Sequence, residues 1–569
     1  MKLTEGVFLL AAGSECTFAL ADGGHWFGHG FSHDQPFPLE AGSVVNERFA
    51  VNNIQCPIWM CTAGYALLLE TTAPVSVAIN RDGDGMLRIT PSEDAPLRVF
   101  GGGSIAAARA GLLAHLRAGE RSPVRAELYG DSIFCTWTQF PRCINQERIV
   151  AMAREIRARG YPCSVITIDD RWESCFGELD FGPDFPDPEA MFAELHRLGF
   201  RVLLWTTPFV NREAATFKAL ESRGILVPRK DGAGAALLRW WGGDEAGLVD
   251  VTNPEGREWF RERLARLMRL GADGFKIDGG DAKYQPPADI AAFHDPKGAS
   301  GFSDTMLALY EELAPGLCET RTAWLSQRRN ILWRLGGKDS HWGRDNGLKA
   351  LVNLSLHLAM MGYDSIMPDM VPGRVQTMDT GDPLPTDELM VRWTEVSAFL
   401  PILQFSYYPW NYAAATADAV LVYAKLHKAL QGYLCESAAE AGKNGAPLLR
   451  PLGWGSEAGS QLWGIADEFM LGSDLLVCPV LDPGAVSRRV IIPGEGWIDA
   501  WSGDPVAAGE HAEWPAPCPG IPVFVRAENA GLASALRGAL AAVARGTVES
   551  GVTTATYEAG INRDLTVTG

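Results

Sequence analysis

The sequence predicts a multidomain α/β chain, with a central (β/α)8 barrel of the TIM type flanked by N-terminal and C-terminal β-sandwich domains. Three observations carry that prediction. From Ser132 onward, apolar strand-like runs alternate with amphipathic helical stretches, the pattern of βαβ units and a parallel sheet. The alternation recurs eight times over about 300 residues, the count of a barrel with insertions. No GxGxxG turn follows the first strand, as a doubly wound nucleotide-binding sheet would require.

Taken in order, residues 1–125 read as all-β. Val7–Leu10, Phe49–Val51, Ile58–Met60, Ala66–Glu70 and Val75–Asn80 are short apolar runs broken by Gly, Pro, Asp and Asn. Ala106–Ala118 is the one helical pattern there and leads into the barrel, assigned to residues 126–430. Its strands are expected at Ile133–Trp137, Val165–Ile168, Arg201–Thr206, Gly274–Ile277, Leu317–Thr322, Ile331–Leu335, Tyr363–Met367 and Phe399–Leu403. Helices are expected at Ile144–Arg159, Pro188–Leu198, Pro254–Leu270 and Thr305–Leu313, with an insertion at about 211–252. Beyond residue 430 the pattern returns to strands (Leu462–Ile465, Leu475–Val480, Val490–Ile492, Trp497–Trp501), predicting a second sandwich over 431–530. An Ala-rich helix over Ala530–Gly546 opens a tail, 531–569.

Composition narrows the function. A formal net charge of −19 disfavours nucleic acid and anionic membrane surfaces as partners. No run approaches the roughly 18 uninterrupted apolar residues of a membrane span. The eleven cysteines are scattered without a CxxC or zinc spacing, which predicts a reduced, cytoplasmic setting and no metal centre. No cofactor motif is present, and homo-oligomerisation is left open. Eighteen tryptophans are many for 569 residues, and indole rings in clefts stack on sugar or base faces.

The chemistry gathers at the predicted strand ends. Asp278-Gly279-Gly280-Asp281 follows the fourth strand, and a carboxylate at a strand's C-terminal rim lies where parallel barrels hold their active sites. A helix-capping Asp is the alternative. Asp169-Asp170-Arg171-Trp172 follows the second strand, Trp205 ends the third, Arg321 the fifth, His341-Trp342-Gly343-Arg344-Asp345 follows the sixth and Asp369 the seventh. Capping accounts poorly for so many acidic strand ends with Trp beside them. Carboxylates accept hydrogen bonds from sugar hydroxyls, and hydrolysis of a glycosidic bond needs two of them flanking it, about 5–5.5 Å apart for retention. Lys276, two residues before Asp278, shares its face of the strand and is placed for a charge contact. Trp240 and Trp241, in the insertion, either wall the pocket or anchor the insertion. Asp369 is either a sugar contact or a partner of Arg392.

These motifs, in this order, resemble glycoside hydrolase family 31, and within it the branch that includes the myogenesis-regulating glycosidase. The segments that carry the resemblance include Ile168-Asp169-Asp170-Arg171-Trp172-Glu173, Arg239-Trp240-Trp241, Phe275-Lys276-Ile277-Asp278, Lys338–Asn346, Pro368-Asp369 and Arg392-Trp393-Thr394-Glu395. The resemblance implies a retaining exo-α-glycosidase with a small carbohydrate substrate. It puts the nucleophile at Asp278 and the general acid/base at Asp345, and leans toward α-galactosides over α-glucosides or a sulfoquinovoside. Asp345 must then hold a proton at neutral pH, which takes burial or a neighbouring carboxylate. Asp169 and Asp170 are the expected grips on the non-reducing hydroxyls. Asp281 stands where the wider family often has Glu, which puts the hydroxyl it reads in doubt. Two other classes compete: a carbohydrate-binding protein without catalysis, disfavoured by the presence of both Asp278 and Asp345, and a metal-dependent barrel hydrolase, disfavoured because the ten His fall mostly outside the strand ends and form no HxH pair.

Overall fold

The computed structural model describes residues 4–20, 24–117, 124–140, 144–296, 298–374 and 385–543. Its centre is one eight-stranded, all-parallel sheet. The strands are β1 (Ser132–Cys135), β2 (Cys163–Ile168), β3 (Arg201–Thr206), β4 (Gly274–Ile277), β5 (Cys318–Thr320), β6 (Leu332–Arg334), β7 (Ile366–Met367) and β8 (Gln404–Phe405). Neighbours pair in chain order, and β8 returns to β1 through Ile133 with Gln404 and Phe134 with Phe405. Between β7 and β8 the ring closes, among the described residues, on a single bridge, Val371 to Phe405, in which Val371 N–H donates to Gln404 O. The strands are short and apolar because they are buried on both sides; Val165, Ile166, Leu203, Phe275 and Ile277 have no exposed surface.

The helices outside the sheet start where the sequence supplies caps. Asn145, Asp187, Asn253 and Thr386 each accept a backbone N–H of the first turn, ahead of Gln146–Ala158, Pro188–Arg197, Pro254–Leu270 and Asp387–Ser397. Proline begins two of these helices, at N1, where its missing N–H costs nothing. Gly298–Leu313, Leu348–Met360 and Ala414–Ala429 follow β4, β6 and β8. The expected alternation fails once. The link from β5 to β6 has no helix, and its Trp324 is buried in the core of the N-terminal domain instead.

That domain pairs a five-stranded antiparallel sheet (Gly6–Leu10, Ala95–Phe100, Tyr65–Leu69, Gln55–Cys61, Trp26–Gly30) with a four-stranded one (Cys16–Ala19, Met86–Pro91, Val75–Ile79, Val44–Phe49). Phe18, Trp59, Leu67, Val77, Ile89 and Leu97 fill the space between them. The Trp324 indole donates to Thr71 O at 2.8 Å, and Ile54 bridges Ala323, so the sandwich is fastened to the barrel link. After β3 the insertion forms a three-stranded antiparallel sheet, Phe209–Asn211, Gly243–Leu248 and Leu238–Trp240.

Three expectations are corrected. The eighth strand is Gln404–Phe405, because the apolar run Phe399–Leu403 is buried in the turn that follows a helix, and burial rather than strand geometry selects its residues. Strands return at Leu449 rather than at about 430, since Gln431–Asn444 is a second helix stacked directly after Ala414–Ala429. Leu462–Ile465 is not a strand: Gln461–Gly464 is a 3-10 turn, begun by the Ser460 hydroxyl accepting Leu462 N–H. The C-terminal strands form a six-stranded and a two-stranded sheet, and the tail helix spans Ala530–Leu540. From residue 544 the expected tail lies outside the described residues. Among the described residues no helix is long and apolar enough to cross a membrane.

Trp324→Ala is expected to destabilise the chain by about 3–5 kcal/mol, the usual cost of deleting a buried indole. Thermal and denaturant unfolding would measure it, and a change below ~1 kcal/mol would mean that the sandwich and barrel are not joined through this residue.

Candidate active site

The C-terminal end of the barrel is floored by charged side chains that are buried and paired across strands. Lys276 on β4 lies 2.6 Å from Asp169, just past β2, and 3.7 Å from Glu319 on β5. Arg334 on β6 lies 3.5 Å from Glu319 and 2.9 Å from Asp369, beyond β7. The Cys135 thiol on β1 donates to Asp169 at 3.0 Å, and the Gln404 amide on β8 donates to Glu319 at 3.1 Å. Stripping a buried charge of its partner costs roughly 3–5 kcal/mol, so the floor holds only as a set. Burial raises the Glu319 pKa against the pull of Lys276 and Arg334. Burial disfavours charged Lys276 too, but Asp169, Cys135 and Glu319 together outweigh it and lift the ammonium above the usual lysine range.

Asp278 lies one step nearer the rim. Its Oδ1 accepts Arg321 Nε–H at 2.6 Å and Gly279 N–H at 3.0 Å, and its Oδ2 accepts the Trp205 indole at 3.1 Å. Burial alone would favour the acid form, but Arg321 and Arg334 hold the carboxyl down at about 2. The expected contact with Lys276 is replaced by this Arg321 pair. The turn that presents Asp278 needs glycine: Gly279 has φ 75°, and a Cβ there would stand 2.7 Å from the Phe209 ring.

The same turn carries Asp281 inward. It is fully buried, accepts Asn53 N–H at 2.7 Å and the Thr322 hydroxyl at 3.1 Å, and pairs with Arg321 at 2.8 Å. Asn53 Oδ1 also accepts from Arg321 at 2.9 Å. Arg321 is thus clamped onto Asp278 by an N-terminal-domain residue and by Asp281.

Asp170 differs from Asp169. Among the described residues no donor bonds its carboxyl, and its nearest cation is Arg171 Nε at 3.9 Å. Burial and the charges of Asp169 and Asp278 push its pKa well above the usual carboxylate range.

The tryptophans separate by depth. Trp172 is fully buried and donates to Trp205 O at 2.7 Å, bracing the indole that bonds Asp278. Trp240 is buried, donates to Asn211 at 2.9 Å and lies nearly parallel to Trp205 with ring centres 6.3 Å apart. Trp241 is 41% exposed, edge-on to Tyr284 at 4.9 Å, with the Arg321 guanidinium 5.5 Å from its ring centre.

Asp345 lies on the loop between β6 and Leu348–Met360, at the same end of the barrel as Asp278. The burial expected of Asp345 is not found: its side chain is 56% exposed, with His341 Nε2 at 3.7 Å, and its backbone carbonyl bonds His33 Nδ1 at 3.2 Å. Trp342 is half-buried beside it, and Arg344 is exposed. Beneath the loop, buried Lys338 donates to Asn346 Oδ1 at 3.0 Å and lies 4.4 Å over the Phe31 ring. Asn346 donates onward to Asp339 at 2.8 Å. Asp369, at φ 67°, accepts Lys338 N–H as well as Arg334; Arg392, its expected partner, pairs instead with Glu395 at 2.9 Å. Among the described residues no group of three or more His, Cys, Asp or Glu is arranged to hold a metal ion.

Comparison with known proteins agrees with this architecture. Residues 132–436 match the glycosyl hydrolase family 31 TIM-barrel domain, 445–530 that family's C-terminal domain, and 6–117 the myogenesis-regulating glycosidase N-terminal domain. The chain belongs to glycosyl hydrolase family 31. It is 36% identical to the mouse myogenesis-regulating glycosidase over 379 residues, 65% of this chain and 52% of that protein. It is 30% identical to the 1,3-alpha-isomaltosidase of Kribbella flavida, over 62% of this chain and 52% of that protein. A sulfoquinovosidase of Agrobacterium fabrum is 27% identical over 86% of this chain and 75% of its own. The matches span about half the length of the first two relatives. Among solved structures, a family 31 alpha-xylosidase from a soil metagenome complexed with xylose superposes with a TM-score of 0.78 at 23% identity, covering 92% of this chain and 80% of that one. A cycloalternan-degrading enzyme from Trueperella pyogenes, in complex with a covalent intermediate, does so at 0.76 and 22% identity, covering 90% and 77%.

Glu319, Arg334, Asn53, Lys338 and His33 were not among the expected site residues. Glu319 and Arg334 do leave a signal, a charge inside an apolar strand. Asn53 and His33 leave none, since only the docked sandwich brings them here.

Lys338 generates a pH prediction. Burial lowers its pKa to about 7, against the pull of Asp369 and Asp339 and aided by Arg334 and Arg374. Between about pH 7 and 10 the unfolded chain therefore binds a proton that the folded chain does not, so this group's contribution to stability rises with pH across that window and is most unfavourable below it. Lys338→Met should raise the thermal midpoint more at pH 6 than at pH 10; the reverse order would contradict a buried, readily discharged lysine.

Proposed function

We propose that this family 31 chain is a retaining exo-α-glycosidase, with Asp278 as nucleophile and Asp345 as general acid/base. The observation that carries the reading is the Asp278 carboxylate: ionised, fixed at three points, and set at the rim beside stacked indoles. Oδ1 is held by Arg321 and Gly279, so Oδ2, with only the indole bond, is the freer oxygen to attack the anomeric carbon. Attack forms a glycosyl ester on Asp278 while Asp345 protonates the departing oxygen. Asp345 then takes a proton from water, whose oxygen displaces the ester and restores the original anomeric configuration. The relative solved with a covalent intermediate supports a two-step course.

The closed side of the site is formed by Asp170, Trp205 and the charged floor, which suits a single terminal sugar. Asp170, whose carboxyl no described donor bonds, would meet a sugar hydroxyl, whereas Asp169, committed to Lys276 and Cys135, would position the floor. Relatives named for isomaltosides, xylosides and sulfoquinovosides support α-linked substrates. Terminal α-galactosides are the first to test, ahead of α-glucosides, because one hydroxyl's orientation can be discriminated strongly by a site built to bond it.

A panel of aryl α- and β-glycosides of galactose, glucose, xylose and sulfoquinovose, with NMR of the first-formed anomer, tests the reading. The α-galactoside is expected to turn over fastest and to release the α-anomer first; release of the β-anomer would exclude the double displacement. Asp278→Asn should abolish turnover on every substrate, a loss of about 10⁴-fold or more. Asp345→Asn should slow glycosides with poor leaving groups at least tenfold more than activated aryl ones, and equal losses would remove Asp345 from the acid role.

A further inference from the structure

Beside the buried groups around Asp278, one exposed side of the site carries a lysine, Lys283, that forms no ion pair with a described residue. From the Asp278 carboxylate a continuous series of contacts leads outward: Arg321 at 2.6 Å, then the Trp241 ring 5.5 Å from its guanidinium, then Tyr284 edge-on at 4.9 Å, then Lys283 Nζ 4.8 Å from the Tyr284 ring centre. This path is more exposed than the sugar side of Asp278. Trp205 and Asp170 are buried, Tyr284 is intermediate, and Trp241 and Lys283 are exposed. If the sugar ring sits on the buried side of the anomeric centre, its leaving group must cross the exposed side.

The cations along that path differ in how they are committed. Arg321 is bound to Asp278, Asp281 and Asn53. Arg239, on the strand before Trp241, pairs with Asp244 at 3.0 Å, and Arg374 lies 3.6 Å from Asp339. Lys283 alone among these four forms no ion pair with a described residue. Partial withdrawal from water lowers its pKa, Asp281 and Asp278 oppose that, and the guanidinium charges of Arg321 and Arg374 add to it. An anion placed between Lys283 and Arg374 would relieve that repulsion.

We propose that Trp241, Tyr284 and Lys283 form the leaving-group subsite, and that it selects aglycones bearing an anionic group such as a phosphate or a carboxylate. This rests on the glycosidase reading above and extends it from the sugar to the group it is attached to. The two rings would cover the apolar face of the aglycone, and the ammonium, held over Tyr284, would meet its charge.

The test compares α-glycosides of one sugar joined to the primary hydroxyl of glycerol, of glycerol 3-phosphate and of glycerate, which share a leaving alcohol. The expected result is a kcat/KM about tenfold higher for either charged glycoside than for the glycerol one, the size of a charge-assisted contact. That preference should shrink as salt rises and fall at least fivefold in Lys283→Gln, with kcat moving less than KM. A preference for phosphate over glycerate, or the reverse, would identify the anion. Equal kcat/KM for charged and neutral glycosides, or a preference unchanged in Lys283→Gln, would overturn the subsite while leaving the glycosidase reading intact. If none of the three is hydrolysed, titration calorimetry of the same glycosides against the full chain decides it, and equal affinities would overturn the subsite independently of catalysis.

Discussion

The structure depends on the mutual neutralisation of charges buried where the eight strands end. Asp169, Lys276, Glu319, Arg334 and Asp369 come from five strands or the turns just beyond them, and none has water to replace a lost partner. Cys135 and Gln404 tie the first and eighth strands into the same network. Such a network stabilises little for its size, because desolvation offsets most of the attraction. What it supplies is geometry. The Lys276 side chain cannot rotate without stranding two carboxylates, and β4 therefore presents Asp278 in one orientation.

The residues around Asp278 add a second layer of constraint from outside the barrel. Arg321 would be free to swing toward solvent if it met Asp278 alone. Asp281 from below and Asn53 from the N-terminal sandwich hold its guanidinium in place. The sandwich also supplies Phe31 and His33 to the loop that bears Asp345. The helix missing between β5 and β6 belongs to the same arrangement. Trp324 on that link is buried in the sandwich core, and docking there is what brings Asn53 within reach of Arg321. The N-terminal domain is therefore part of the site, not an appendage to it.

Much of this was legible in the residues. The strand–helix alternation gave the barrel, and Asp278, with the glycines after it, marked the rim of β4, whose bounds agree with the structure. Where the reading fell short, the cause was tertiary. Phe399–Leu403 is as apolar as a barrel strand because it is equally buried, and apolarity alone does not fix backbone direction. Asp281 reads as a second rim carboxylate, and only the positive φ of Gly279 and Gly280 turns it inward. Glu319 and Arg334 sit within apolar strands, where each charge is tolerable only because of partners on other strands or the turns beyond them. Asn53 and His33 lie hundreds of residues from their partners, and spacing carries no trace of that contact.

The most direct test of the account is to trap the intermediate. A 5-fluoro-α-hexopyranosyl fluoride of the preferred sugar should slow the second step more than the first and leave the protein esterified, and peptide mapping by mass spectrometry should place the label on Asp278. A label on Asp170, Asp345 or any other residue, or a protein that turns over the fluoride without ever carrying a label, would contradict the claim that Asp278 is the nucleophile this fold was built to hold.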